Sequence, residues 1–281
     1  MTGVIDAGGG LRGIYGAGVF DRCLDDGVSF DMCIGVSAGS ANIASFLGGQ
    51  KGRNYLFYTD YSMRKEYMGL NCLFKCGSFI NLNYVYRTLS NSDGENPLNY
   101  RGIAENKSEY TVVATDSKTG RARYFTKNDM RENDYGILVA SCTIPAVCRP
   151  ARVCGGVFHD GGIADPVPVD FALQNGCDRL VVILTRPRDY VLDTGLDMKA
   201  AKLLRLRYPN VSKGLCERKE LYAKSVEKAK ALEAQGKCLI IAPDDCCGLE
   251  TLTKDAKKLD RLYKKGYADG ARIAEFVFSR K

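Results

Sequence analysis

A single histidine, His159, occurs in the 281 residues, and that scarcity limits the chemistry from the outset. Any mechanism needing an imidazole base has one residue to draw on. Long apolar stretches are also absent. No run of about 18 apolar residues occurs, which argues against a membrane-spanning helix. The opening residues "MTGVIDAGGG" lack a basic stretch followed by an apolar core, so no secretory signal is expected and the cytoplasm is the expected compartment. Neither an internal repeat nor a low-complexity linker divides the chain.

Twelve cysteines are present, but they are dispersed through a long chain with no secretory context, so reduced thiols are expected. Cys72 with Cys76, and Cys246 with Cys247, are closely spaced. Neither pair has the second knuckle of a zinc site, and no metal or other cofactor is expected. The apolar share of 45% and charged share of 26% are those of an ordinary globular protein. A net charge of +7 favours anionic partners: a membrane surface, a nucleic acid or an acidic substrate. No nucleic-acid motif accompanies it, and its densest run, "KKLDRLYKKGY" (257–267), reads as a solvated helix face.

Strand-like and helix-like segments alternate, which predicts an α/β sandwich around a mostly parallel sheet. "GVID" (3–6), "FDMCIGV" (30–36) and "CDRLVVILTRP" (177–187) read as strands. Residues 12–27, 38–49 and 134–144 read as helices, and 109–126 as a hairpin turning at 117–120. Beyond Pro187 the pattern changes to charged helices over 213–235 and 254–279. Between them "KCLIIAP" is expected to return to the sheet edge. The division is a domain over 1–190 and a mainly helical extension over 191–281. Residues 53–100 are rich in aromatic rings. They are either core helices or a lid or insertion that walls an acyl-chain pocket beside Ser37, and sequence leaves both open.

"IDAGGGLRG" satisfies G-x-G-x-x-G through Gly8, Gly10 and Gly13, between a strand and a helix. Such a loop holds an anion with backbone N–H groups, whether a pyrophosphate or the oxyanion of acyl transfer. "IGVSAGS" then places Gly35, Ser37 and Gly39 between an apolar strand and a helix of small residues, the setting of a nucleophile elbow. Acyl transfer uses both loops; nucleotide binding has no use for Ser37.

A serine hydroxyl needs a neighbour to accept its proton. A triad would use Ser37, Asp116 and His159. In "VFHDGGIADP", however, His159 and Asp160 are adjacent at a strand end, where successive side chains face opposite ways. The glycines Gly161 and Gly162 favour Asp160 as the residue facing the site. This predicts a Ser37–Asp160 dyad, with His159 at the surface or in packing.

The ordered set "GGGLRG", "GVSAG" and "DGG" resembles the patatin-like phospholipases, and "ASCTIPAVCRP" (140–150) is similar to that family's block before its aspartate. "GRNYLFYTDYSMRKEYM" and "DGGIADPVPV" look closest to the bacterial branch with a helical C-terminal extension. The resemblance is strong over about residues 3–186. It implies a three-layer α/β/α fold, Ser37 as nucleophile and Asp160 as base. It also implies an oxyanion hole from the N–H groups of Gly9 and Gly10, with Leu11 a further candidate. Arg12 stands where the family has a basic residue, either meeting a phosphate or anchoring the loop. Many members carry Asn in place of Pro166, a side chain that supports the aspartate loop.

The implied substrate is a phospholipid or other long-chain acyl ester, and the positive charge suggests peripheral docking on anionic bilayers at the inner membrane surface. The rival readings are an esterase using His159, a non-catalytic lipid-binding or regulatory protein, and a nucleotide binder.

Overall fold

Strands whose residues are buried on both faces need a layer of helices on each side. A computed structural model describes residues 1–279, so residues 280 and 281 of the expected extension lie outside it. The strands are β1 (Thr2–Asp6), β2 (Met32–Val36), β3 (Glu109–Asp116), β4 (Ala122–Thr126), β5 (Ala151–Val153), β6 (Gly156–Asp160), β7 (Arg179–Ile183) and β8 (Cys238–Ile241). They form one sheet in the order β5-β6-β3-β2-β1-β7-β8, with β4 also paired to β3. β1 runs parallel to β2 and β7, β2 to β3, and β7 to β8. The pairings of β4, β5 and β6 are antiparallel.

Alternation along each central strand feeds two cores. Val4, Cys33, Val112 and Val181 enter one. Their neighbours Ile5, Ile34, Val113 and Val182 enter the other. The first core is covered by α1 (Ile14–Asp25), α2 (Ala38–Leu47), α3 (Arg53–Thr59), α5 (Tyr100–Glu105), α6 (Gly136–Ser141), α10 (Ala256–Asp269) and α11 (Ala271–Phe278), while the short helix α4 (Leu70–Cys76) contributes no residue to it. The second is covered by α7 (Val169–Gln174) and α9 (Pro209–Ala234). The remaining helix, α8 (Gly195–Leu204), was not expected from the sequence; it packs on α9 through Ala201, Val211 and Leu215. The result is a three-layer α/β/α sandwich.

The last third is interwoven with the rest. β8 pairs with β7 at the sheet edge, α9 covers one face, and α10 and α11 help cover the other. The helix expected over 254–279 is two helices that meet at Gly270. The basic run 257–267 has more than a solvated face. Its other side buries Leu259, Leu262 and Gly266 against α1, and Tyr263 and Tyr267 donate to Asp21 and Asp25. Burying leucines of this kind contributes about 1.5–3 kcal/mol each.

Candidate active site

A strand has two edges, and β3 uses both. β4 occupies one edge along Thr111–Thr115. On the other edge β2 pairs as far as Val36↔Val113, and β6 takes over at Asp160↔Ala114. The C-terminal ends of β2 and β6 therefore meet head to head. Residue 37, just past one, lies beside residue 160, the last of the other.

Ser37 sits at the turn from β2 into α2 with φ 55° and ψ −130°. A non-glycine residue in that region costs of order 1–3 kcal/mol, which the surrounding contacts must offset. Gly35 and Gly39 make the sharp turn possible. A Cβ on Gly35 would lie 2.4 Å from Ser40 Cα, and one on Gly39 2.3 Å from the Asp6 carbonyl oxygen. The Ser37 N–H donates to Ser141 Oγ, which donates in turn to the Val113 carbonyl.

The Ser37 hydroxyl donates to Asp160 Oδ2 at 2.6 Å. Both residues are buried. Burial pushes the Asp160 carboxyl above its ordinary range, against the hydrogen bond from Ser37, the nearby Arg218 cation and the Gly162 N–H, which all favour ionisation. Gly162 N–H donates to Asp160 Oδ1 at 2.8 Å, and Gly161 lies tight against the Val113 backbone.

His159 turns the other way. Its Nδ1 is 2.8 Å from Ser117 Oγ, and its ring stands edge-on to Tyr208. It is 1% exposed, so of the two places expected for it, packing and surface, it occupies the first. Burial lowers its pKa to about 4, leaving a neutral imidazole at physiological pH. Asp116, the other member of the triad alternative, accepts from the backbone of Lys118 and Thr119 in the hairpin turn.

Gly8, Gly9 and Gly10 take φ values of 64°, 135° and 63°, a run that side chains rarely permit. Asp6 braces this loop: its carboxylate accepts from Gly8 N–H and from Asn42 Nδ2, and burial raises its pKa to about 6. Gly13 packs between Tyr58 and Ala38. The Leu11 N–H, a candidate oxyanion donor by sequence, instead donates to the Thr251 carbonyl at 2.9 Å. Arg12 is buried, donates to Thr251 Oγ1 at 3.2 Å and leaves Nε unpaired. Its pKa falls to about 10 through burial and the neighbouring Arg186.

Beside Ser37 lies a cleft of about 670 Å³, counted out to solvent, walled by Phe57, Tyr58, Tyr67, Met68, Ile80 and Val85. The aromatic segment 53–100 contributes both to the core and to the wall of this cleft. Phe57, Tyr58 and Tyr86 belong to the core and also line the cleft.

Pro166 has no side-chain group that can hydrogen-bond to the aspartate loop, and other residues tie that loop down. Thr115 Oγ1 donates to the Asp160 carbonyl, and Arg218 Nε to the Gly162 carbonyl at 2.7 Å. Arg218, on α9, was not singled out from the sequence, nor were Asp6, Asn42 and Thr251. Asp6 alone left a signal, an acid ending an apolar strand before the glycines. Among the described residues no group of three or more His, Cys, Asp or Glu is placed to hold a metal.

Residues 7–173 match the model of the patatin-like phospholipase family, and this stretch spans more than half of the chain. The chain belongs to the patatin-like phospholipase family. Residues 208–277 match a second family described as a domain of unknown function (DUF6363). This patatin-like chain is 31% identical over 183 residues to the uncharacterised protein YjjU of Escherichia coli, covering 64% of the chain and 50% of that protein. It is 38% identical over 60 residues to an uncharacterised NTE family protein of Mycobacterium tuberculosis, covering 21% of the chain and 16% of that protein. The chain thus spans half or less of the length of these relatives. VipD from Legionella pneumophila superposes with a TM-score of 0.49 at 15% identity, covering 98% of this chain and 66% of that one.

Proposed function

We propose that this patatin-like protein is a serine lipid acyl hydrolase that cleaves fatty acyl esters through a Ser37–Asp160 dyad. The 2.6 Å hydrogen bond from the Ser37 hydroxyl to the Asp160 carboxylate carries the reading. Asp160 takes the hydroxyl proton as Ser37 Oγ attacks the ester carbonyl. The N–H groups of Gly9 and Gly10, with the positive end of α2, hold the oxyanion. The tetrahedral adduct collapses by expelling the alkoxide, which takes the proton from Asp160, and an acyl-enzyme remains. Asp160 then draws a proton from water, hydroxide adds to the acyl carbonyl, and Ser37 leaves with its proton restored.

The apolar cleft beside Ser37 suits an acyl chain, since its walls are mostly hydrocarbon and ring. A panel of phospholipids, lysophospholipids and acylglycerols, assayed with wild type and Ser37→Ala, tests the reading. Release of fatty acid that vanishes in Ser37→Ala is expected. Absence of turnover on every lipid, together with no labelling of Ser37 by a fluorophosphonate, would point to a lipid-binding protein instead.

A further inference from the structure

A second concavity, of about 1100 Å³ counted out to solvent, lies apart from Ser37. Arg149, Arg152 and Arg207 line it beside Leu73, Leu204 and Tyr208, and no acidic residue among the described residues does. All three arginines are exposed, and none has a salt-bridge partner among the described residues. The one acid within α8, Asp197, is turned away into an ion pair with Arg218.

The segments that supply Leu73 and Leu204 to this groove also carry strongly exposed apolar side chains. Phe74 is 84% exposed, Leu70 65%, Leu203 70% and Leu206 89%. Single exposed apolar residues are ordinary. Here, however, seven of the eleven large exposed ones among the described residues fall on two segments, α4 (Leu70, Leu73, Phe74) and 195–206 (Leu196, Met198, Leu203, Leu206). Lys75, Lys199, Lys202 and Arg205 alternate with them.

One chain segment contributes to the walls of both the groove and the Ser37 cleft. α4 is an excursion between Met68 and Ile80, which pair with each other and wall the cleft. Leu73 and Gly77 of the same excursion line the groove, and the Arg149 guanidinium lies against Gly77.

We propose that α4, the segment 195–206 and the arginine groove between them form a docking surface for an anionic phospholipid bilayer. Phe74, Leu70, Leu203 and Leu206 enter the acyl boundary, while the arginines meet headgroup phosphates. Cations interleaved with exposed apolar side chains are what an interfacial segment presents to a bilayer. A planar guanidinium fork matches phosphate oxygens, and each such cation near an anionic surface contributes about 1 kcal/mol. A nucleic acid would satisfy the arginines and leave the exposed apolar side chains in water.

Binding is measured by co-sedimentation of Ser37→Ala protein with phosphatidylcholine vesicles, with and without phosphatidylglycerol, so its outcome does not depend on the proposed hydrolase activity. Preference for the anionic vesicles is expected. Leu70→Ser with Phe74→Ser weakens it by roughly tenfold or more. Arg149→Gln, Arg152→Gln and Arg207→Gln together weaken it by roughly a hundredfold at low salt. A charge-matched control, Lys219→Gln with Lys224→Gln and Lys237→Gln, retains most of the binding. The same groove and α4 changes made on active protein leave hydrolysis of a soluble short-chain ester unchanged. Full vesicle binding by either the groove or the α4 variant overturns the proposal. So does an equal loss in the control, or tighter binding of duplex RNA than of anionic vesicles.

Discussion

His159 and Asp160 are neighbours on β6 that bond in opposite directions, the imidazole with Ser117 and the carboxylate with Ser37. Only the carboxylate is hydrogen-bonded to Ser37, so under the proposed mechanism the pH profile should be that of one acid. Asp160 must be ionised to accept the proton, and burial raises its pKa. Turnover of a soluble ester should therefore fall as pH drops through a single limb lying above the ordinary carboxylate range. A limb that follows an imidazole, and disappears in His159→Ala, would contradict this.

Arg218 acts on the same carboxylate from α9, through its charge and through its hydrogen bond to the Gly162 carbonyl. The cation lowers the Asp160 pKa, so Arg218→Gln should move the acid limb to higher pH. The loss should be largest at low pH and partly recovered on the alkaline side. Arg218→Lys, which keeps the charge, should hold the limb nearer its original place. An equal loss at every pH would reduce Arg218 to a structural tie.

The α1–α10 crossing offers a test of the scaffold. A Cβ on Gly266 would lie 2.0 Å from the Tyr15 carbonyl oxygen, a backbone atom that cannot swing aside. Gly266→Ala should destabilise by about 1–3 kcal/mol, the usual cost of overpacking. Each kcal/mol should lower Tm by roughly 2–4 °C in a chain of this size. An unchanged melting curve would mean that the helices separate freely.

Chain-length preference should follow the cleft wall. Leu82 lines the cleft on the aromatic segment, and Leu82→Trp fills part of it. KM for long-chain esters should rise while short-chain esters are little affected. An equal effect on both would place the acyl chain elsewhere.

Much of this was legible in the sequence because it is local. Gly35-x-Ser37-x-Gly39 describes its own turn, and Gly8 to Gly10 their own loop. Alternation after Phe158 was enough to set Asp160 against His159. What was hidden is non-local. That β2 and β6 share one edge of β3 depends on register, which neither strand encodes by itself. Thr251 reaches Leu11 and Arg12 across more than half of the chain, and a motif containing Leu11 gives no hint that its N–H is already taken. Arg218 stands in a helix crowded with charge, where spacing alone does not distinguish it from its neighbours. The arginines of the second groove likewise come together from two separated segments.

The central claim is that a carboxylate, not an imidazole, activates Ser37. The most direct measurement compares the rate at which a fluorophosphonate labels Ser37 in Asp160→Asn and in His159→Ala. Labelling should slow by roughly a hundredfold or more in Asp160→Asn, the usual contribution of a positioned base, and stay near wild type in His159→Ala. Comparable slowing in the two variants, or a greater one in His159→Ala, would contradict the account.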